Sequence, residues 1–423
     1  GYALPVLRDD THVQVALKGD PGNVDDKARN RSYHKDIYIS RAYNRASRGR
    51  VRMVIVPRQR TALVGLRAVA IGFATIGLVA IGLGGVTPAR TLAQTRDHSL
   101  VVLSHSNHTV YELDPSNGQI LHEFVAPDQP HEAAITADGN TVFASVPMAA
   151  FVEILDGKTF KEKGRIESEY FKRTPQIRMG RDGAPAGPPN TSASPHGMAI
   201  NNEGTKLYIG TENADVSGVI VYDIKAAKVV KKIELLLEGG HYLAIQPGTD
   251  KLYYPHRADN RVVVIDTKTD RILKIIPVAG GPVGVDFAPN GEVWFHEDGD
   301  GSVTVVDSKK DTVIKVIQTG GKGAGRMAVS PDGKYAASPH SESQDVAVID
   351  AVNKTLVSTV KIGKGPGFPL FSPDSTKLYV MESGNGDVVT VDLKTMSVAA
   401  RYKIGTDPFG GGLRFENGRR TSQ

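Results

Sequence analysis

Histidines recur at two kinds of position in this 423-residue chain, and both kinds lie at the ends of short β-rich segments. Ten of the twelve histidines lie between residues 94 and 423, and seven of these ten occupy such ends. The histidines that begin a segment are His131, His196 and His241. Those at or beside the end of a segment are His105, His256, His296 and His340. Neutral imidazoles bind divalent Zn, Cu, Mn or Fe, and they also transfer protons near neutral pH.

Carboxylates and one guanidinium share these positions, which widens the chemistry that the set can support. Glu297 and Glu382 end segments, whereas Arg326 begins one. We predict a divalent metal ion whose ligands are His131, His196, His241, His256 and His340. In this interpretation His296 and Glu297 act as proton-transfer groups, and Arg326 holds an oxyanion. Glu382 is expected to contribute to substrate binding.

The segments belong to a sequence repeat. A short β-rich run ending in aspartate occurs seven times, at Asp114, Asp156, Asp223, Asp266, Asp307, Asp350 and Asp392. The intervals between these aspartates are 42, 67, 43, 41, 43 and 42 residues, and each unit contains four β-rich runs. A period of this length with four strands per unit is typical of β-propeller blades. The sequence therefore predicts an all-β, seven-bladed β-propeller with four-stranded blades over residues 94–423.

The order of strands within a unit places the histidines. In the sixth unit the predicted strands are 326–329, 334–338, 346–350 and 355–362. The first two strands of a blade are antiparallel, so the start of the first strand and the end of the second lie at the same end of the blade. Because the innermost strands line the central channel, we expect the histidines to gather at one mouth of that channel. The aspartate that ends each third strand is expected to accept hydrogen bonds from turn amides.

The two ends of the repeat region are expected to close the ring. The first unit begins at residues 99–103 and lacks an innermost strand, whereas residues 406–415 follow the seventh unit and are β-rich. We predict that this C-terminal strand completes the first blade, which removes an exposed sheet edge.

An insertion at residues 170–194 accounts for the one long interval. It is rich in proline and basic residues and lacks apolar periodicity, which indicates a loop. Because it leads directly into His196, we place it over the same mouth, where it is either a lid or a solvated surface loop. In the lid interpretation the substrate-binding residues are Arg173, Arg178 and Arg181.

The first 93 residues are interpreted as two segments outside the propeller. Residues 1–52 are basic and lack sustained periodicity, and we interpret them as upstream sequence without a folded role. Residues 53–93 contain Arg58, Arg60 and Arg67, then an uncharged run over 68–86, then small residues. This pattern is typical of a secretion signal, with an uncleaved membrane anchor as the alternative. Both interpretations place residues 94–423 in the periplasm or outside the cell.

Charge and composition exclude several classes of site. Residues 1–93 contain fifteen Lys and Arg against six Asp and Glu, which leaves thirty-six against forty for the remainder. The mildly acidic body argues against a nucleic-acid partner. The chain contains no cysteine, which excludes disulfides, thiolate metal sites and cysteine nucleophiles.

Units such as GGPVGVDFAPNGEVWFHEDGDGSVTVVDSKKDTVIKVI resemble the YVTN repeat of bacterial exported propellers, and the resemblance covers residues 99–415. The element from Trp294 to Glu297 (WFHE) also resembles the WFTE element of streptogramin lyase-type propellers. That resemblance implies a metal held by His and Glu at the channel mouth and an elimination across an ester. In this chain His296 replaces the threonine, and the element occurs in one unit only.

Three functions follow from these patterns. The first is a metal-assisted lyase or hydrolase acting on a small oxygenated substrate, and the second is a non-catalytic cell-envelope propeller that binds a small molecule or a glycan. The third is an oxidoreductase with copper or a quinone. We expect a monomer, with membrane attachment only if the N-terminal segment stays uncleaved.

Overall fold

A computed structural model describes residues 97–171, 194–212, 217–235, 237, 239–323 and 325–415. In these residues, 28 β-strands form seven four-stranded antiparallel sheets, which are the blades of a β-propeller. The accompanying helices are two short 3₁₀ turns, Pro147–Ala149 and Glu169–Phe171. No helix in the described part of the chain has the length and apolar character needed to cross a bilayer. The predicted all-β, seven-bladed fold is confirmed.

The strands are numbered β1–β28 in chain order, and the order within each blade runs from the channel outwards. Blade 1 contains β28 (Pro408–Phe415), β1 (His98–Ser104), β2 (Thr109–Leu113) and β3 (Ile120–Val125). Blade 2 contains β4 (Ala133–Ile135), β5 (Thr141–Val146), β6 (Phe151–Asp156) and β7 (Glu162–Ile166). Blade 3 contains β8 (Ser194–Ile200), β9 (Lys206–Glu212), β10 (Gly218–Asp223) and β11 (Lys228–Glu234). Blade 4 contains β12 (Ala244–Ile245), β13 (Lys251–His256), β14 (Arg261–Asp266) and β15 (Arg271–Pro277).

The last three blades repeat the same order. Blade 5 contains β16 (Pro282–Phe287), β17 (Glu292–Glu297), β18 (Val303–Asp307) and β19 (Thr312–Ile317). Blade 6 contains β20 (Ala328–Val329), β21 (Tyr335–His340), β22 (Asp345–Asp350) and β23 (Thr355–Lys361). Blade 7 contains β24 (Pro366–Phe371), β25 (Lys377–Glu382), β26 (Asp387–Asp392) and β27 (Ser397–Lys403).

The hydrophobic core lies between the blades. Seven clusters of buried side chains each join two neighbouring blades, and together they cover all seven blade interfaces. Strands such as β18 (VTVVD) are buried along nearly their whole length, because both sheet faces pack against neighbours. The chain's one tryptophan, Trp294, is fully buried between blades 5 and 6.

The predicted ring closure is confirmed. Strand β28 pairs antiparallel with β1, from His98 opposite Phe415 to Leu103 opposite Gly410. A core cluster that contains residues of both blade 7 and blade 1 packs behind this joint. The aspartates that end the third strands also act as predicted. Asp350 Oδ1, for example, accepts hydrogen bonds from the amides of Val352 at 2.9 Å and Asn353 at 2.8 Å.

Several predictions fall outside the described residues. They concern the upstream segment 1–52, the secretion signal or anchor at 53–93, and the interior of the insertion with Arg173, Arg178 and Arg181. These assignments stay predictions.

Candidate functional site

Three successive blades bring three histidines together at one mouth of the channel. His131 lies two residues before β4, His196 lies in β8, and His241 lies three residues before β12. The ring centroids of His131 and His196 are 4.2 Å apart, and those of His196 and His241 are 4.5 Å apart. His105, the residue after β1, extends the row, with its centroid 4.5 Å from that of His131. We call His105, His131, His196 and His241 the histidine row.

Two glutamates complete ligand sets with this row. His131, Glu132 and His196 have ligand atoms that all lie within 4.8 Å of one another, and so do His196, Glu212 and His241. Glu212 Oε2 is 3.2 Å from His196 Nε2, and its Oε1 is 4.0 Å from His241 Nε2. Each set contains two imidazoles and one carboxylate, which is the donor combination of many catalytic zinc sites. The same combination also suits non-haem iron(II).

The histidine row is neutral at physiological pH. Burial, reinforced by neighbouring histidines and by the charge of Arg326, holds the pKa of His131, His196 and His241 well below the ordinary value of 6.5. Burial, with Arg326 as the second cause, lowers the pKa of His105 to about 3. A neutral imidazole keeps a ring lone pair, which a metal ion requires. The buried Nδ1 atoms of His196 and His241 have no hydrogen-bond partner among the described residues.

Arg326 and Glu132 form an ion pair across the channel beneath the row. Arg326 comes from blade 6 and Glu132 from blade 2, and both side chains are almost completely buried. Arg326 Nε donates to Glu132 Oε1 at 3.1 Å, and its Nη2 donates to the same oxygen. The guanidinium also lies 5.7 Å from the ring centroid of Phe409. Arg326 was expected to hold a substrate oxyanion, but much of its hydrogen-bonding capacity is directed at Glu132.

The other predicted metal ligands lie outside the row. His340 is fully buried, and its Nδ1 lies 2.9 Å from Asp345 Oδ1 while its Nε2 lies 2.8 Å from Thr319 Oγ1. His256 is also fully buried, with Nδ1 3.4 Å from Ser217 Oγ. The structure therefore brings together three of the five predicted ligands, whereas the side chains of His340 and His256 contact other polar groups.

The predicted proton-transfer and substrate residues of the second strands are likewise separate from the row. His296 lies between blades 5 and 6, with Nδ1 2.7 Å from Ser338 Oγ and Nε2 3.2 Å from the carbonyl oxygen of Gly323. Glu297 is fully buried, and burial raises its pKa to about 7. Glu382 accepts hydrogen bonds from Arg401 Nη1, at 2.8 Å, and from Asn385 Nδ2. Glu382 therefore supports its own blade rather than facing the histidines.

The sequence interpretation missed Glu132 and Glu212. Glu132 directly follows His131 in QPHEAAI, so an HE pair at the start of an inner strand was the available signal. Glu212 is the last residue of β9, the same kind of strand end that Glu297 and Glu382 occupy, so its position was the available signal.

Below the ion pair the channel contains a cavity of about 170 Å³. Its walls come from the inner strands, and they include Tyr242, Asp286 and Arg326 among mostly apolar side chains. Asp286 Oδ2 accepts a hydrogen bond from the amide of Val329 at 2.7 Å, and burial raises the pKa of Asp286 to about 7.

Fold and site together define a seven-bladed β-propeller with a histidine–carboxylate cluster at its axis. A functionally unknown protein from Desulfotomaculum acetoxidans DSM 771 has a similar structure, with a TM-score of 0.61 at 14% identity, covering 75% of this chain and 99% of that one. Hydrazine synthase from Kuenenia stuttgartiensis gives a TM-score of 0.54 at 19% identity, covering 66% of this chain and 88% of that one.

A further structural neighbour is the dihydro-heme d1 dehydrogenase NirN in complex with DHE. It gives a TM-score of 0.57 at 15% identity and covers 76% of each chain. At these identities the likenesses establish the propeller fold alone. No protein-family model matches the chain, and no curated protein matches its sequence.

Proposed function

We propose that this chain is an exported enzyme that uses a divalent metal ion, held by the histidine row, for lyase or hydrolase chemistry on a small oxygenated substrate. One observation carries the proposal. Two imidazole–imidazole–carboxylate sets, joined through His196, converge at the channel mouth with ligand atoms within 4.8 Å in each set. The resemblance to YVTN-repeat propellers and the secretion-type segment at 53–93 support export.

The ligand sets fit a metal that retains an open coordination position. Two imidazoles and a carboxylate leave room for water or for a substrate oxygen, and the ion polarises a carbonyl or lowers the pKa of bound water. The lowered pKa values of His131, His196 and His241 remove proton competition for the ring lone pairs. Glu132 and Glu212 each belong to one set, so the carboxylate of the set that does not hold the ion is the group placed to accept a proton beside it.

Arg326 contributes electrostatics from below the row. Its buried charge disfavours protonation of the histidines, which keeps them available as ligands. It also fixes Glu132 through the ion pair, so the single carboxylate of the His131–Glu132–His196 set is held in place. The streptogramin lyase resemblance supports elimination chemistry only weakly, because Trp294 is core and His296 lies between blades 5 and 6.

Metal analysis of the purified full chain tests the proposal. We expect about one equivalent of metal per chain in the wild type, and none in the His196→Gln variant, since His196 belongs to both ligand sets. His131→Gln and His241→Gln each disrupt one set, so the variant that loses metal identifies the set that binds it. The His122→Gln variant is the matched control, because His122 lies on β3 beside Glu112, away from the row.

The result of the metal analysis also distinguishes the proposed function from a non-catalytic binding propeller and from an oxidoreductase. A wild-type chain without metal after dialysis against Zn²⁺, Mn²⁺, Cu²⁺ and Fe²⁺ would overturn the proposal and favour a non-catalytic binding propeller. Retention of copper or iron in preference to zinc and manganese would favour an oxidoreductase. Two of the structural neighbours are a synthase and a dehydrogenase by name, and their likeness to this chain concerns the fold alone.

A further inference from the structure

His105 lies just beyond the end of its strand, at the mouth of the channel. It is the first residue after β1, and its amide donates to the carbonyl oxygen of Asp407 at 3.0 Å. Asp407 immediately precedes the ring-closing strand β28, so this hydrogen bond belongs to the closure of the propeller. The His105 side chain, 5% exposed, is in direct contact with His131.

The His105 and His131 rings meet edge to edge. Their planes differ by 15° and their centroids are 4.5 Å apart. These two values by themselves are also compatible with face-to-face stacking. However, His105 Nε2 and His131 Nδ1 are only 2.6 Å apart. Stacked rings stay roughly 3.5 Å apart because of van der Waals contact, so the nearly parallel rings must share an in-plane N–H···N hydrogen bond.

The direction of this hydrogen bond decides whether His131 can bind metal. Two ring nitrogens 2.6 Å apart need one hydrogen between them, and a neutral imidazole carries one N–H. If His131 Nδ1–H donates to His105 Nε2, the lone pair of His131 Nε2 is free for an ion. If His105 donates instead, His131 carries its hydrogen on Nε2 and cannot ligate through that atom.

Asp407 selects the first arrangement. Its Oδ2 lies 3.7 Å from His105 Nδ1, and its side chain is 16% exposed. That separation is too long for a hydrogen bond, and His105 Nδ1 has no hydrogen-bond partner among the described residues. The negative charge of the carboxylate at this distance still favours an N–H over a lone pair at Nδ1. A carboxylate accepts but does not donate, so it places the hydrogen of His105 on Nδ1. His105 Nε2 then accepts from His131.

We infer that Asp407 and His105 are positioning residues that fix the tautomer of His131 so that its Nε2 faces the metal site. The inference rests on the proposed function for its metal-binding consequence, although the tautomer itself can be measured without metal. Metal-ligating histidines commonly donate their second N–H to a carboxylate, a backbone carbonyl or water, and loss of that acceptor weakens metal binding about 10–100-fold. In this site His105 Nε2 takes the place of that acceptor. Neither residue touches the ion in this arrangement.

The test compares His105→Phe, which removes the acceptor but keeps an aromatic ring beside Phe409, with His105→Gln, which restores an acceptor oxygen. We expect the Kd for Zn²⁺, measured by chelator competition on the full chain, to rise about 10–100-fold in His105→Phe and Asp407→Asn. His105→Gln is expected to recover most of that loss. His122→Gln is expected to match the wild type.

Imidazole ¹⁵N NMR supplies a second readout that needs no metal. We expect the Nδ1–H tautomer of His131 in the wild type and a shift towards Nε2–H in His105→Phe. An Nε2–H tautomer of His131 in the wild type would overturn the inference even if every variant failed to fold. Zn²⁺ binding that is unchanged in a folded His105→Phe variant would also overturn it, while leaving the metal proposal intact. A wild type that binds no metal would instead refute the proposed function.

Discussion

The ion pair between Arg326 and Glu132 predicts a stability loss whose size depends on pH. In an Arg326→Met variant the apolar side chain fills most of the same volume, and Glu132 loses its partner. Glu132 is fully buried, and burial already raises its pKa even though Arg326 opposes that shift. Breaking a buried pair by removing one partner typically costs about 3–5 kcal/mol, because the remaining charge stays desolvated.

Protonation of the unpaired Glu132 sets an upper limit on this loss of stability, and the limit depends on pH. Neutralising a carboxyl group with an ordinary pKa of 4.5 costs about 1.4 kcal/mol per pH unit above that value. The unpaired Glu132 therefore destabilises the variant by at most about 5 kcal/mol at pH 8 and about 1 kcal/mol at pH 5. A raised folded-state pKa means that the folded protein binds more protons than the unfolded chain in this window. Stability of the variant is thus lost as the pH rises from 5 to 8.

Urea denaturation at pH 5 and pH 8, followed by the fluorescence of the buried Trp294, measures these differences. The matched Glu132→Gln variant leaves Arg326 unpaired, and a guanidinium cannot lose its proton in this range. We therefore expect a similar loss for Glu132→Gln at both pH values. An equal loss for Arg326→Met at pH 5 and pH 8 would refute the reasoning.

Three further predictions concern other parts of the propeller. Gly410→Ala should cost about 1–3 kcal/mol in urea denaturation and weaken metal binding, because a Cβ at Gly410 would overlap the carbonyl oxygen of His131. Burial raises the pKa of Glu297 to about 7, so the wild type should lose about 3 kcal/mol of unfolding free energy between pH 4.5 and 8, and Glu297→Gln should not show this loss. Parallel pH profiles of unfolding free energy for the two proteins would contradict this. Deletion of residues 404–423 should give aggregation in light scattering, because β1 then exposes an unpaired edge.

The blade architecture was predictable from the sequence because it depends on local signals. Each aspartate at the end of a third strand accepts turn amides within three residues, so its spacing reports directly on the blade period. The positions of the inner-strand histidines were predictable because equivalent positions in successive blades face the same axis. His131, His196 and His241 accordingly lie side by side in the structure.

The second strands were less predictable because their register depends on the length of each turn. Ser104 pairs with Thr109 just as His340 pairs with Asp345, so Ser104 is the structural equivalent of His340. His105 and His340 were both predicted at or beside segment ends, although His105 lies one residue further along than the equivalent of His340. That single residue moves the His105 side chain to the mouth, while His340 and Glu382 remain bound by polar groups of their own blades.

The distribution of the site over the ring couples its assembly to ring closure. Its members come from blades 1, 2, 3, 4 and 6, and the contact between His105 and Asp407 joins residues about 300 positions apart. No single blade contains a complete ligand set, so the unfolded chain has no preformed site. An ion that binds the closed ring therefore stabilises it, by about 2.7 kcal/mol at a free concentration 100 times the Kd. Because Asp407 immediately precedes β28 and Phe409 lies in it, the strand that seals the propeller also shapes its histidine row.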